Sequence, residues 1–494
     1  MLGLEILLLV LYGLCLLFML GFSLVQLQLA RRARAAAAHP APTPAPPATW
    51  PRVTVQLPLY NELYVAERLL DACAAFDYPL DRLHVQVLDD STDETVTRVA
   101  ARVAHYRAQG LRIDHVRRPS RQGYKAGALR HGLALTDGEL LAIFDADFVP
   151  TPDFLRRTVP YFAHEARTGV VQTRWGHLNA EYSLLTELQA FGLNAHFLVE
   201  QVGRQAGGHF LNFNGTGGVW RRTCIEDAGN WHTDTLTEDL DLSYRALLRG
   251  WHLRYLPQVA APAELPATLD ALKSQQFRWT KGAAETARKH LGAVLRAPLP
   301  LSTKLHATFH LLNSSVFVAI LLMGMLSVPL VAVRALVPEL RPVFHLASGF
   351  LLALVPLVFY FRTAWTLGHP YQPPGRSRGG FVGQLLLFLA FSMGLSLHNS
   401  RAVLLGLLGR RTAFIRTPKL GLVQRQGTWR GRRYRTGRLF DGLTLLEGLL
   451  ALYFAAGLAA GLYLRTWGLL PTHLLLTVGY GLVFYYSIRH NFER

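Results

Sequence analysis

Apolar residues fall into three regimes along this chain. From Ile6 to about Leu29 they are almost unbroken, and Arg31, Arg32 and Arg34 follow directly. Between Pro51 and about His290 short apolar runs alternate with amphipathic stretches, and after about His306 the long runs return. A run of about 20 apolar residues crosses a bilayer, so the first and third regimes predict membrane regions, with spans at Ile6–Leu29, Thr308–Val333, Val343–Trp365, Gly442–Leu464 and Gly468–Ile488. No basic residue precedes the first run, which is read as a retained anchor with its N-terminus outside. Phe381–Leu408 is apolar too, but Ser396, His398, Asn399, Ser400 and Arg401 interrupt it. If it spanned, the ten Lys/Arg between Arg410 and Arg438 would lie outside, against the positive-inside tendency. An interfacial or re-entrant helix under the soluble unit is therefore expected, leaving five spans with that unit and the C-terminus in the cytoplasm.

The middle regime has a different period. Val53–Leu57, His84–Leu88, Leu111–Val116 and Leu140–Phe144 read as strands, separated by helical segments at Val65–Ala75, Glu94–Gln109 and Lys125–Leu135. Alternation of this kind predicts an α/β unit with a parallel sheet covered on both faces. Polar residues follow the strand ends and are expected to converge on one edge, where such sheets hold ligands. The chain is thus divided into an anchor (1–34), an Ala/Pro linker (35–50), a catalytic α/β unit (51–290), a membrane region (291–488) and a short cytoplasmic tail (489–494).

Composition alters this picture little. Half the residues are hydrophobic, and much of the formal charge of +18 lies beside the apolar runs, so membrane topology explains it and nucleic acid is not an expected partner. The three cysteines, Cys15, Cys73 and Cys224, have no paired spacing, which fits a reducing cytoplasm and argues against a disulfide or zinc framework.

The chemistry is concentrated at six places. Asp145 and Asp147 end the apolar run Leu140–Phe144 two residues apart, so both carboxylates can lie on one side and share a hard divalent cation such as Mg²⁺ or Mn²⁺. Tyr60 and Glu62 follow the first strand, and Asp89 and Asp90 close the second, where a ring can stack on a base and a carboxylate can accept from one. Arg121–Gly127 opens a helix, so Lys125 and backbone N–H groups there can meet phosphate. Glu238 and Asp239 supply a candidate base, and Gln275, Arg278 and Trp279 a charge beside an aromatic face. Each pattern alone also has an ordinary structural reading as a turn, cap or interface aromatic. In this order they form a specific set.

At these residues the chain resembles glycosyltransferase family 2, its cellulose synthase-like group, and within that group the plant mannan synthases (glucomannan 4-β-mannosyltransferases). The resemblance rests on Val87–Asp93, Gly123–Leu129, Ala142–Phe148, Phe213–Thr216 with Gly218–Arg221, Thr237–Asp239, Gln275–Trp279, and Phe414–Lys419, which is similar to the gating loop of cellulose synthases with Arg416 in place of the usual Val. It implies a GT-A-like nucleotide-sugar-binding domain between membrane helices, and a gating-like loop at 409–420. It implies a donor site of Tyr60, Glu62, Asp89, Asp90, Lys125, Asp145, Gln275, Arg278, Thr417 and Lys419, with Asp145 and Asp147 at the metal. Asp239 beside Glu238 is then the catalytic base, and Trp279, Phe213, Asn214 and Gly215 face the acceptor. The implied activity is inverting, processive hexosyl transfer from GDP-mannose or UDP-glucose to a β-linked polysaccharide at the cell membrane, extruded alone or with an export subunit. Transfer of one sugar to a membrane lipid is the alternative, and a non-catalytic sugar-binding or transport protein a more distant one.

Overall fold

The computed structural model describes residues 2–40, 42–348, 352–371, 380–432 and 441–492. The four expected strands are present as β1 (Val53–Leu59), β2 (Leu83–Asp89), β3 (Ile113–Val116) and β4 (Leu140–Ile143). Helices Ala66–Ala74, Thr95–Ala108 and Tyr124–Ala134 connect them. All four strands run parallel in the order β3-β2-β1-β4. Their apolar runs are explained by burial on both faces: Val53, Val55, Leu57, Ala142 and Phe144 enter one core, while Leu141 and Ile143 enter another with Leu129 and Leu133.

The expectation of a wholly parallel sheet is corrected by three further strands, β5 (Thr168–His177), β6 (Gly218–Arg221) and β7 (His252–Ala263). The seven-stranded sheet is mixed, because β6 lies antiparallel between β4 and β5, and β7 pairs parallel with β5. β5 carries Gln172, Thr173 and Arg174 in its interior, so no apolar run marks it in the sequence; its pairing depends on partners far along the chain.

Register gathers the strand ends at one edge. Leu59 is opposite Asp89 and Gln56 opposite Ile143, so Tyr60, Asp90 and Asp145 leave the sheet together. Ile143 is also opposite Gly218, which brings Asn214 and Gly215 to the same edge, and His177 opposite Ala263 adds Glu264.

Among the described residues, four helices are long and apolar enough to cross a membrane: Gly3–Ala38, Ser315–Leu336, Gly442–Tyr463 and Trp467–Phe492. The first runs past the expected start of the linker, because Ala35–Ala38 propagate a helix that Pro40 then ends. The last helix likewise takes in most of the expected tail. The segment 343–365 falls on helices Arg341–Ser348 and Leu354–Gly368, with residues 349–351 outside the described ones. Positions 433–438 of the basic segment are also outside them. Gly380–Gly394 and Ser396–Leu407 form a pair bent by 50°. The polar interruption that marked this segment in the sequence begins at the bend, and all of it but the exposed Arg401 is buried: Ser396 meets the Tyr480 hydroxyl at 2.9 Å, and His398 Nε2 lies 2.9 Å from the Lys273 carbonyl.

Membrane and catalytic parts are packed together. Ala30 and Ala33 of the first helix, with Tyr360, Phe361 and Leu385, complete the second core of the sheet. The helix Leu269–Arg296 crosses beneath the strand edge and carries Gln275, Arg278 and Trp279 into it.

Candidate active site

The strand edge encloses a cavity of about 190 Å³. Most of the expected residues line it: Tyr60, Glu62, Asp90, Lys125, Asp145, Asp147, Asn214, Gly215, Glu238, Asp239, Gln275, Arg278, Trp279, Thr417 and Lys419. Two do not. Asp89 is buried with its carboxylate accepting from Ser91 N and facing His115 Nε2, both at 2.8 Å, so its charge is engaged inside the domain. Phe213 is fully buried, edge-on to Trp220, and serves the core.

In the cavity most of the carboxylates meet a cation of the chain, Asp145 and Glu238 sharing Lys125, while Asp239 has no ion pair among the described residues. Lys125 Nζ lies 2.5 Å from Asp145 Oδ1, donates to the Gly215 carbonyl at 2.9 Å, and is 3.8 Å from Glu238. Gly215 has a φ of +81°, and a side chain there would also crowd Asp239 at 3.1 Å, so glycine is required. Lys419 reaches Asp147 at 2.5 Å, and Arg416 meets Glu62 at 2.7 Å. Burial pushes the Glu62 carboxyl up to about 7 despite Arg416. Asp239 is also raised to about 7, first by burial in the cavity and then by the negative charge of Glu238; Glu238 rises for the same first reason, opposed by Lys125.

The loop from Phe414 closes the cavity. Arg278 donates to the Ile415 carbonyl at 3.0 Å and to Thr417 Oγ1 at 2.8 Å, and Phe414 stacks on Tyr124 with ring centroids 5.2 Å apart. Glu264 accepts from the N–H groups of Leu420 and Gly421, each at 2.8 Å. Arg121 places its guanidinium 3.4 Å from the centre of the Tyr60 ring, covering the face a base would stack on. Trp175, His177 and Glu264 also line the cavity and were not legible in the sequence, because the first two end β5 and the third follows β7.

Two carboxylates, hard oxygen donors on one wall, fit a divalent ion whose remaining positions a diphosphate and water would fill. Lys125 and Lys419 pair with these two carboxylates at 2.5 Å each, so an ion would have to displace both ammonium groups, which a diphosphate would then attract. His232, Asp234 and Asp241 also lie close enough to share an ion. Lys289 meets Asp234 at 2.9 Å and Asp241 at 2.8 Å, and Arg245 meets Asp241 at 2.8 Å, so that cluster is already neutralised.

Residues 51–282 match the family described as Glycosyltransferase like family 2. Glucomannan 4-beta-mannosyltransferase 1 of Oryza sativa subsp. japonica is 35% identical over 422 residues, which are 83% of this chain and 78% of that protein. Glucomannan 4-beta-mannosyltransferase 2 of Arabidopsis thaliana is 35% identical over 83% of this chain and 76% of its own length. Probable glucomannan 4-beta-mannosyltransferase 2 of Oryza sativa subsp. japonica is 37% identical, and this chain spans 63% of it. Among solved structures, the mannosyltransferase PcManGT from Pyrobaculum calidifontis, in complex with GDP-Man and Mn2+, has the same fold, with a TM-score of 0.51 and 23% identity over 74% of this chain and all of that one. With a GT-A-like sheet flanked by membrane helices, the chain belongs to glycosyltransferase family 2, as a membrane hexosyltransferase related to the glucomannan 4-beta-mannosyltransferases.

Proposed function

We propose that the protein transfers mannose from GDP-mannose, with inversion, to the end of a β-linked mannan or glucomannan chain, and that it does so processively from a cytoplasmic catalytic unit. The choice of mannose over glucose is supported by the names of the relatives and by the GDP-Man bound to PcManGT. The polymer reading is carried by one observation: Leu193, Gln275 and Trp279 line both the catalytic cavity and a second cavity of about 470 Å³ on the membrane side. That second space is walled by Phe22 of the N-terminal helix and by Phe317, Phe361 and Phe388 from three helices of the membrane region, and aromatic faces suit a sugar chain passing outward.

In this reading Asp239 takes the proton of an acceptor hydroxyl as its oxygen attacks the anomeric carbon. The new C–O bond forms on the face opposite the diphosphate, and the old C–O bond breaks with its electron pair leaving on phosphate oxygen. Lys125, Arg278 and Lys419 counter the charge of the leaving group. A divalent ion held by Asp145 and Asp147 supplies further stabilisation of that charge when bound. Tyr60 offers its ring to the base once Arg121 moves aside, and Trp279 seats the terminal sugar.

Incubating the purified protein with radiolabelled GDP-mannose or UDP-glucose tests this. Long insoluble product from GDP-mannose is expected. Short lipid-extractable product would support a glycolipid synthase instead, and no transfer from either donor would defeat the enzymatic reading. Trp279→Ala should shorten the product more than it slows donor hydrolysis, whereas product of unchanged length removes Trp279 from the acceptor site.

A further inference from the structure

Residues His196–Glu200 form a π-helical turn between helices Leu184–Ala195 and Gln201–Ala206. Such widened turns are rare in helices and frequent at functional sites. The polar ends of this one are turned inward. Glu200 is buried and accepts from Gln26 Nε2 of the N-terminal helix at 2.9 Å, from the Tyr360 hydroxyl at 3.1 Å and from Arg204 at 3.1 Å. His196 Nδ1 faces the same carboxylate at 3.0 Å, while its Nε2 lies 3.0 Å from Asn214 Oδ1. Asn214 lines the catalytic cavity; His196 and Glu200 line the membrane-side one.

Counting donors fixes the protons. Asn212 Nδ2 donates to the Phe213 carbonyl at 3.2 Å, an acceptor that cannot be reversed, and to Asn214 Oδ1 at 3.1 Å. The Asn214 atom facing both Asn212 and His196 is therefore oxygen, and His196 Nε2 must donate. His196 is held between Asn214 Oδ1 and the Glu200 carboxylate, and the Asn214 amide is locked with Nδ2 turned from both His196 and Asn212. That Nδ2 is buried without a hydrogen-bond partner among the described residues. A buried donor left unmade is costly, and this one belongs to a wall residue of the reaction cavity.

We propose that His196 and Glu200 are positioning residues that fix the Asn214 amide so that its free N–H meets a hydroxyl oxygen of the acceptor chain where that chain passes from the catalytic to the membrane-side cavity. The inference rests on the processive reading above and adds to it the two residues that orient Asn214. Gln26 and Tyr360 tie the same relay to the N-terminal helix and the membrane region.

The test uses the full chain with GDP-mannose, Mn²⁺ and β-1,4-mannotetraose as added acceptor. His196→Gln and Asn214→Ala should each raise the acceptor KM about ten-fold relative to the donor KM, roughly what one hydrogen bond to a ligand contributes. Because His196 acts through Asn214, the double variant should be no worse than Asn214→Ala alone. Additive losses, an unchanged acceptor KM, or equal changes in both constants would overturn the relay. If His196→Gln fails to bind nucleotide and is thus misfolded, Asn214→Ala decides by the same KM ratio. Failure of the unaltered chain to extend mannotetraose with any donor would instead overturn the processive reading, and this inference with it.

Discussion

A proton on Asp239 sets the sharpest expectation. As a base it acts only when ionised, and its carboxyl is raised from the ordinary 3.8 to about 7 by burial and then by Glu238. Transfer should therefore rise with pH through an acid limb near 7, and at pH 6 only about a tenth of the enzyme has an ionised base, giving a rate roughly ten-fold below the plateau. Because two neighbouring carboxylates share this site, the limb belongs to the pair. Glu238→Gln removes the adjacent negative charge and should move the limb to lower pH. Asp239→Asn should cut transfer by about 10² to 10⁴-fold, the usual worth of a general base, while leaving donor affinity close to unchanged. The sign for stability is the opposite of that for activity. A carboxyl whose folded pKa exceeds its unfolded one penalises folding increasingly as pH rises from about 4 to about 7, and by a constant amount above. The Asn variant should thus gain thermal stability over the unaltered chain at pH 8 and none below pH 4. Initial transfer rates from pH 5 to 9, nucleotide binding and melting curves for both variants are the assays. Retention of transfer in Asp239→Asn, or an acid limb near 4, would refute the assignment.

The ion pair of Lys419 with Asp147 makes a second expectation: chelation should abolish transfer, Mn²⁺ or Mg²⁺ should restore it, and Lys419→Ala should lower the half-saturating metal concentration while raising the donor KM about ten-fold. Full transfer by Asp147→Ala in EDTA would exclude the metal role. For topology, a cysteine placed at the exposed Gln426 should escape an impermeant thiol reagent in intact cells, since the catalytic unit and its closing loop are expected in the cytoplasm. Strong labelling there would reverse the orientation.

Local physics determined a large part of this protein from sequence alone. Apolar length picked out four of the five expected membrane helices, and two-sided burial of β1, β2 and β4 left runs that could be read directly. Asp145, Asp147, Lys125, Asp239, Arg278 and Trp279 were legible because chemistry demands those residue types within short motifs. The mixed end of the sheet was not, since β5–β7 owe their pairing to distant partners and interleave polar residues. Hence Trp175, His177 and Glu264 went unseen. Direction of side chains was equally beyond reach: Asp89 and Phe213 sit in the right motifs yet turn into the domain, where His115 and Trp220 engage them. The turn at His196 looks in sequence like one more stretch of apolar helix. Only tertiary packing decided that its histidine would meet Asn214 and that Glu200, four residues on, would meet Gln26 and Tyr360, because hydrogen bonds across long sequence separations depend on where whole helices come to rest and leave no local period to read.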